Sequence, residues 1–186
     1  MFAAVIVVVQ SLMTFVWPGV IPMNLALPVI VMGALLYGPV AGGFLGFAFA
    51  TIVIWSGISG TAPTSYMMWQ TRPILMVLSN IIRGISIGVI PALLYRATSK
   101  SDLNVRTLVA ASVTPIVNTG IFVFTLVMFY RDSLTIGDTS LLYHVFIVMT
   151  GTNFLLEMVV NIGLVTVIAT VIRAVSKTHK AEFSRD

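Results

Sequence analysis

A carboxylate and two amides recur at four-residue intervals near the carboxyl end of the chain, within the apolar stretch GTNFLLEMVVN at 151–161. Asn153, Glu157 and Asn161 share one face of a helix, because residues four apart lie one turn from each other. A carboxylate accepts hydrogen bonds or balances a positive charge, and an amide both donates and accepts. The stripe therefore suits either contacts between helices or the binding of a polar ligand.

A second apolar segment carries polar residues of the same kind. Asn80 and Arg83 are three residues apart and share a helix face. Arg83 and Glu157 are the two ionisable residues well inside apolar segments, and an isolated charge in lipid is costly. We expect these two to form a structural ion pair. Asn80 and two further amides, Asn118 and Asn153, are candidates for ligand binding.

The chain offers few groups for catalysis. It has no cysteine, so thiolate nucleophiles and disulfides are excluded. Glu157 is the only acid in the apolar interior, and no phosphate-binding loop is present. Ser86 matches a nucleophile-elbow pattern but falls in the middle of a predicted helix. Ser59 with His144 leaves an intramembrane serine protease as a minor alternative. We therefore expect no enzymatic activity, metal or cofactor.

The composition indicates the environment of these residues. Hydrophobic residues make up 58% of the chain and charged residues 9%, whereas soluble proteins have about 25% charged residues. We therefore expect an integral membrane protein surrounded by a lipid bilayer. The net charge of +4 does not indicate binding to nucleic acid, because most charges lie at the ends of apolar segments.

Six apolar segments can form transmembrane helices, since roughly 20 apolar residues cross a hydrocarbon core of about 30 Å. This predicts an all-α polytopic membrane protein with a single six-helix membrane domain at 1–175 and a basic tail at 176–186. Gly38 and Pro39 separate the second segment from the third, because proline cannot continue a helix and restricts the residue before it. The six segments are 2–17, 22–37, 40–55, 73–95, 107–130 and 142–175.

Basic residues near the segment ends predict the orientation, since cytoplasmic loops are enriched in lysine and arginine. With the amino terminus inside, Arg72 and Arg131 lie outside and seven basic residues lie in the cytoplasm. Both termini and the tail are then cytoplasmic. The seven residues are Arg96, Lys100, Arg106, Arg173, Lys177, Lys180 and Arg185.

The first 71 residues carry no charge, but they contain a glycine every four residues at Gly38, Gly42 and Gly46. One face of the third predicted helix is therefore nearly bare backbone. Small residues let another helix approach closely, and in lipid such packing stabilises helix pairs. We expect this face to pack within the protein, with a docking surface for a partner protein as the alternative.

The predicted external loop at 56–72 is rich in aromatic and polar residues and contains Gly60 and Pro63. It can act as a lid over a polar ligand, with an interfacial aromatic belt as the alternative for Trp69. The ligand would lie between this loop, the loop at 17–24 and the outer ends of the last three helices. The candidate substrate-binding residues are Asn24, Trp69, Gln70, Arg72, Asn80, Asn118 and Asn153.

Taken in order, several motifs resemble the substrate-binding S components of energy-coupling factor (ECF) vitamin transporters. They are the Gly-Pro-x-x-Gly hairpin within 21–52, the Arg-Gly helix at 72–96, the segment TPIVNTGIFVF at 114–124, and the Asn-x-x-x-Glu-x-x-x-Asn helix. The resemblance covers nearly the whole chain. It implies a six-helix subunit in a bacterial cell membrane that captures a vitamin outside, and the overall pattern is most similar to the pantothenate type.

The resemblance also implies partners. Such a subunit docks on a module of one transmembrane coupling subunit and two ATPase subunits, and it topples in the membrane to release the vitamin inside. S components usually dock through an Ala-x-x-x-Ala face of the first helix. Here Ala3 and Ala4 begin such a face, but Val7 and Val8 follow four residues later, so the motif is incomplete. A stand-alone secondary transporter is the main alternative, although no internal repeat or titratable pair on a pathway is evident.

Overall fold

The described part of this computed structural model is helical. It covers the backbone of residues 1–16, 24–131 and 152–183, and the side chains of 1–12, 24–131 and 154–175. The expected all-α fold is therefore confirmed for these residues. The helices, in chain order, are α1 (Phe2–Val16), α2 (Leu27–Tyr37), α3 (Pro39–Ile58), α4 (Pro63–Thr71), α5 (Pro73–Ala97), α6 (Leu103–Phe129), α7 (Thr152–Gly163) and α8 (Val165–Phe183).

Three of the described helices, α3, α5 and α6, are long and apolar enough to cross a membrane. The pair α7 and α8 qualifies as a fourth if its two parts form one span, which bends by 41°. The sixth predicted segment is therefore divided by a turn at Leu164. α1 and α2 are apolar but shorter. Six spans and cytoplasmic termini stay predictions, and the side chains of the tail at 176–186 lie outside the described residues.

The break between α2 and α3 falls where Gly38 and Pro39 predict it. Gly38 has a φ of 91°, a left-handed conformation that glycine adopts without steric cost. Its N–H donates to Ala34 O at 2.9 Å and so ends α2, while Pro39 begins α3. Proline suits a first helical position because that N–H has no acceptor in the helix. The predicted break at Gly38 and Pro39 is thus confirmed.

The predicted lid segment contains a helix that the sequence pattern did not indicate. α4 starts at Pro63, again a proline in the first turn. Its Met68 is 1% exposed and packs with Met76, Leu126 and Tyr130. A nine-residue helix therefore covers one end of the α5–α6 pair.

Tyr130 links the end of α6 to the connection between α4 and α5. Its hydroxyl donates to the backbone carbonyl of Arg72, between α4 and α5, at 2.9 Å. We expect Tyr130→Phe to lower the free energy of unfolding by about 1 kcal/mol, which corresponds to a loss of about 2 to 4 °C in Tm. Thermal unfolding in detergent measures this shift. Tyr66→Phe, which alters an exposed tyrosine of α4, is the matched control, and equal shifts in both variants would contradict the role of the hydrogen bond.

The glycine stripe of α3 packs against α5. A Cβ on Gly42 would lie 2.5 Å from the carbonyl oxygen of Gly88, and a Cβ on Gly46 would overlap the carbonyl oxygen of Gly84. The backbones of the two helices are therefore in direct contact, as small residues in membrane helices allow. Of the two alternatives for Gly42 and Gly46, the structure supports packing within the protein.

The start of α1 has one buried and one exposed side. Ala3 packs against the cluster around Ile6 and Phe49, whereas Ala4 is exposed. Val8, one turn after Ala4, is 56% exposed. Ala4 therefore lies on an outward face of α1, and the use of that face for docking stays a prediction.

Candidate functional site

Glu157 is the centre of a buried polar group. It lies on α7, is 3% exposed and accepts hydrogen bonds on both carboxylate oxygens. Asn24 Nδ2 donates to Oε1 at 2.5 Å, and Asn118 Nδ2 donates to Oε2 at 3.1 Å. Hydrogen bonds to an ionised acceptor are stronger than those between neutral groups. The carboxylate thus connects three separate parts of the chain.

Two more amides extend this group. Gln10 on α1 donates to Asn24 Oδ1 at 3.5 Å, a long hydrogen bond. Asn161 on α7 donates from Nδ2 to the backbone carbonyl of Glu157 at 2.8 Å. We call Gln10, Asn24, Asn118, Glu157 and Asn161 the Glu157 cluster. α1, the turn before α2, α6 and α7 all contribute to it.

Local structure explains how Asn24 and Asn118 reach the carboxylate. Asn24 precedes α2, and its backbone carbonyl accepts from Leu27 N at 3.1 Å, which forms the turn that leads into the helix. Asn118 lies one turn after Thr114 on α6, and both residues are buried. The Thr114 hydroxyl bonds back to Ala110 O at 2.9 Å. The Thr114 hydroxyl is therefore satisfied within α6, whereas the Asn118 side chain reaches Glu157 on α7.

Asn80 and Arg83 form a second polar group on α5. Asn80 Nδ2 donates to Met76 O at 2.8 Å, and Arg83 Nη2 donates to Asn80 Oδ1 at 2.7 Å. The guanidinium carbon of Arg83 lies 5.1 Å from the ring centre of Phe122 on α6, a cation–π contact. Phe122 follows Asn118 by four residues and shares its face of α6. The second group therefore adjoins the Glu157 cluster.

The expected ion pair between Arg83 and Glu157 stays a prediction. The two buried groups interact electrostatically, which agrees with two opposite charges placed in one region. The hydrogen bonds described above, however, run from Arg83 to Asn80 and to Glu157 from Asn24 and Asn118. Each of these hydrogen bonds therefore joins a charged group to an amide, and different amides contact Arg83 and Glu157.

Three polar atoms of this region are buried and make no hydrogen bond to the described residues. They are a donor, Arg83 Nε, and two acceptors, Asn118 Oδ1 and Asn161 Oδ1. Buried polar groups in native proteins are nearly always hydrogen-bonded, to protein or to another molecule. The region can therefore both donate to and accept from a bound polar molecule.

The site lies towards one end of the helix bundle. Asn80 falls in the first third of α5 and Asn118 in the second half of α6. These helices follow each other through a short connection and run in opposite directions, so the two positions are at the same end. α4 precedes α5 at that end, and the basic residues Arg96, Lys100 and Arg106 lie at the other.

Other predicted binding residues lie apart from the Glu157 cluster or outside the described side chains. Trp69 is half-buried against Met68 and its neighbours, and Gln70 and Arg72 are exposed at the end of α4. Asn153 is on α7, but its side chain lies outside the described residues. The contribution of these four to binding stays a prediction.

The two serine motifs lie in different local structures. Ser86 lies in the middle of α5, as predicted, and not at the sharp turn that an elbow requires. Ser59 follows α3, and its hydroxyl contacts Ser56 O at 3.3 Å and Thr61 Oγ1 at 3.1 Å. His144 lies outside the described residues.

Sequence reasoning missed Gln10 and Phe122. Gln10 directly follows the apolar run at 2–9. An amide at this position of an apolar helix is a signal that a sequence pattern can detect. Phe122 gave no such signal, because one aromatic residue in an apolar helix looks like any lipid-facing or core residue. Its role follows from the contact with Arg83.

Comparison with protein-family models, with curated proteins and with solved structures found no match for this chain.

Proposed function

We propose that this protein is the substrate-capture subunit of an ECF-type vitamin importer in a bacterial cell membrane. It binds a vitamin, with pantothenate as the first candidate, at the external end of the bundle. It then delivers the vitamin by docking on a module of one transmembrane coupling subunit and two ATPase subunits. The order of motifs along the sequence, which resembles S components, supports this proposal.

The observation that carries the proposal is the buried polar region around Glu157. In a membrane protein, polar residues among apolar helices mark a substrate pathway or binding site more often than lipid-facing surface. Here hydrogen bonds join Glu157 to the turn before α2 and to α6, and three nearby polar atoms make no hydrogen bond to the described residues. A small polar molecule can complete these hydrogen bonds.

The proposed topology has six membrane spans and cytoplasmic termini. Under this arrangement α4 and the Glu157 cluster lie towards the external side, and Arg96, Lys100 and Arg106 face the cytoplasm, in agreement with the positive-inside rule. The uncharged first 71 residues suit a subunit that reorients in lipid, because each charge carried through the core raises the barrier.

The proposed docking surface for the coupling subunit is the outward face of α1 that begins at Ala4. Gly42 and Gly46 are occupied by contacts with α5, so they cannot also serve as docking residues. Ala4 and Val8 are exposed, and α1 carries no charge that would oppose contact with an apolar partner helix.

Purification of the protein from cells with and without a coupling module tests the proposal. The protein alone is expected to retain a vitamin, which mass spectrometry of the extracted small molecules identifies. Uptake into vesicles is expected to require the coupling module and ATP. Uptake driven by an ion gradient with this chain alone would indicate a secondary transporter, and peptide hydrolysis would indicate a protease. Either result would overturn the proposal.

Asn118→Leu is expected to weaken vitamin binding by about 10- to 100-fold, because the site loses a polar contact for the vitamin and Glu157 loses a hydrogen bond that positions it. The change removes the donor to Glu157 Oε2 and the buried acceptor Oδ1. Titration followed by tryptophan fluorescence or calorimetry measures the affinity.

Thr107→Val is the matched control, because Thr107 is fully buried on α6 at the opposite end of the helix. We expect the control variant to bind like the unmodified protein. A folded Asn118→Leu variant with unchanged affinity would show that the vitamin does not bind at the Glu157 cluster.

A further inference from the structure

The guanidinium of Arg83 has a hydrogen-bonding group that the described protein does not use. The residue is 6% exposed, and its Nη2 is fixed by Asn80. Its Nε is buried and makes no hydrogen bond to the described residues. A buried donor on a charged group is costly when it lacks an acceptor, so an acceptor of some kind is expected at this position.

The two side chains in direct contact with the Arg83 guanidinium orient it. Asn80 is anchored by its own bond to Met76 O, which directs its Oδ1 at the guanidinium, and Phe122 offers the face of its ring. Both of these partners are uncharged. Glu157 interacts with Arg83 electrostatically, but each of its carboxylate oxygens accepts a hydrogen bond from an amide.

The position of Arg83 brings this donor to the proposed binding region. Phe122, which contacts the guanidinium, lies one turn from Asn118, which contacts Glu157. A molecule bound between α5, α6 and α7 would therefore meet Arg83 on one side and amide groups on the other. A guanidinium is planar, always charged and matched in geometry to a carboxylate.

We propose that Arg83 determines specificity at this site, and that the captured molecule carries a carboxylate which accepts a hydrogen bond from Arg83 Nε. The inference rests on the proposed function, because it names the chemical class of the captured vitamin. A carboxylate supplies the missing acceptor and also balances a positive charge that is buried in a membrane-spanning helix. A neutral ligand does only the first.

Pairs of molecules that differ only at the carboxylate test this inference. Suitable pairs are pantothenate with pantothenol, nicotinate with nicotinamide, and biotin with biotin amide, and riboflavin and thiamin serve as ligands without a carboxylate. Calorimetry with the purified full-length protein gives each affinity. The carboxylate member of the pair that binds is expected to bind about 10- to 100-fold more tightly than its neutral counterpart, as for a hydrogen bond to a charged group.

Variants then assign the preference to Arg83. Arg83→Gln is expected to bind both members of the pair within about threefold of each other, because it removes the charge. Arg83→Lys keeps the buried positive charge and is the variant to use if Arg83→Gln does not fold. We expect Arg83→Lys to lose most of the preference for the carboxylate, because lysine lacks the planar guanidinium. Arg96→Gln, at the exposed opposite end of α5, is the control and keeps the preference.

The possible failures are distinguishable. If none of these vitamins binds and no vitamin co-purifies with the protein, the proposed function is wrong and the inference falls with it. If riboflavin, thiamin or a neutral member binds as tightly as any carboxylate, vitamin capture stands and the role of Arg83 is overturned. The same holds if Arg72→Gln abolishes the preference while the Arg83 variants keep it, since the carboxylate then binds at the exposed end of α4.

Discussion

Gly46→Ala is expected to lower the Tm of the protein by about 6 to 12 °C, which corresponds to a loss of about 3 kcal/mol in the free energy of unfolding. The added Cβ would overlap the carbonyl oxygen of Gly84. Because that atom belongs to the backbone of a helix, it cannot move away as a flexible side chain can. The helices α3 and α5 must separate, and the contacts on either side of Gly46 and Gly84 weaken.

Gly120→Ala is the matched control for this change. Gly120 is also within a helix, α6, but a Cβ there would have no neighbour within 4 Å. Alanine favours a helix over glycine by about 0.5 to 1 kcal/mol, so the control is expected to be neutral or slightly stabilising. Thermal unfolding in one detergent, with the monodisperse fraction from size-exclusion chromatography, compares the two variants. Equal Tm values for both would contradict the close packing of α3 on α5.

Glu157→Leu is expected both to destabilise the protein and to abolish vitamin binding. The change removes the acceptor for Asn24 Nδ2 and for Asn118 Nδ2, and a buried donor without an acceptor costs about 1 to 3 kcal/mol. It also removes a negative charge that interacts with the buried Arg83. We expect a loss of about 3 kcal/mol or more in the free energy of unfolding. Tm and ligand titration measure the two effects.

Glu157→Gln separates the hydrogen bonds of this residue from its charge. Glutamine has a similar shape and keeps one acceptor oxygen, so it can satisfy one of the two amide donors. We expect a loss of Tm about half that of Glu157→Leu. If the glutamine variant is as damaged as the leucine variant, the charge is what stabilises the bundle, and the interaction with Arg83 outweighs the bonds to Asn24 and Asn118. If the leucine variant is as stable as the unmodified protein, the cluster is not structural.

The glycine repeat of α3 predicts a close helix contact but not the helix that makes it. The repeat at Gly42 and Gly46 predicts a close helix contact, and the structure has one. The partner positions are Gly84 and Gly88, which are also four residues apart in the sequence. Which of several apolar helices packs on α3 depends on the crossing of whole helices, and a one-dimensional repeat does not contain that information.

Local sequence signals predict the structure correctly at Gly38 but not at α4. Gly38 and Pro39 ended one helix and began another as predicted, because backbone restrictions of these residues act within a few positions. The sequence pattern around Pro63 predicts a loop, yet Pro63 begins α4. Proline both interrupts helices and starts them, and the packing of Met68 against Met76, Leu126 and Tyr130 favours the helix.

Sequence periodicity placed Asn118 and Glu157 on inward faces, and both are buried. The chain alone therefore determined an all-helical protein with apolar helices and a few buried polar side chains, because transfer from water to lipid and backbone preference depend on each residue and its near neighbours. The partners of those side chains were decided by the tertiary structure. Glu157 binds Asn24 and Asn118, and Arg83 meets Asn80 and Phe122, since the rotation and crossing of packed helices set which atoms come within hydrogen-bonding distance.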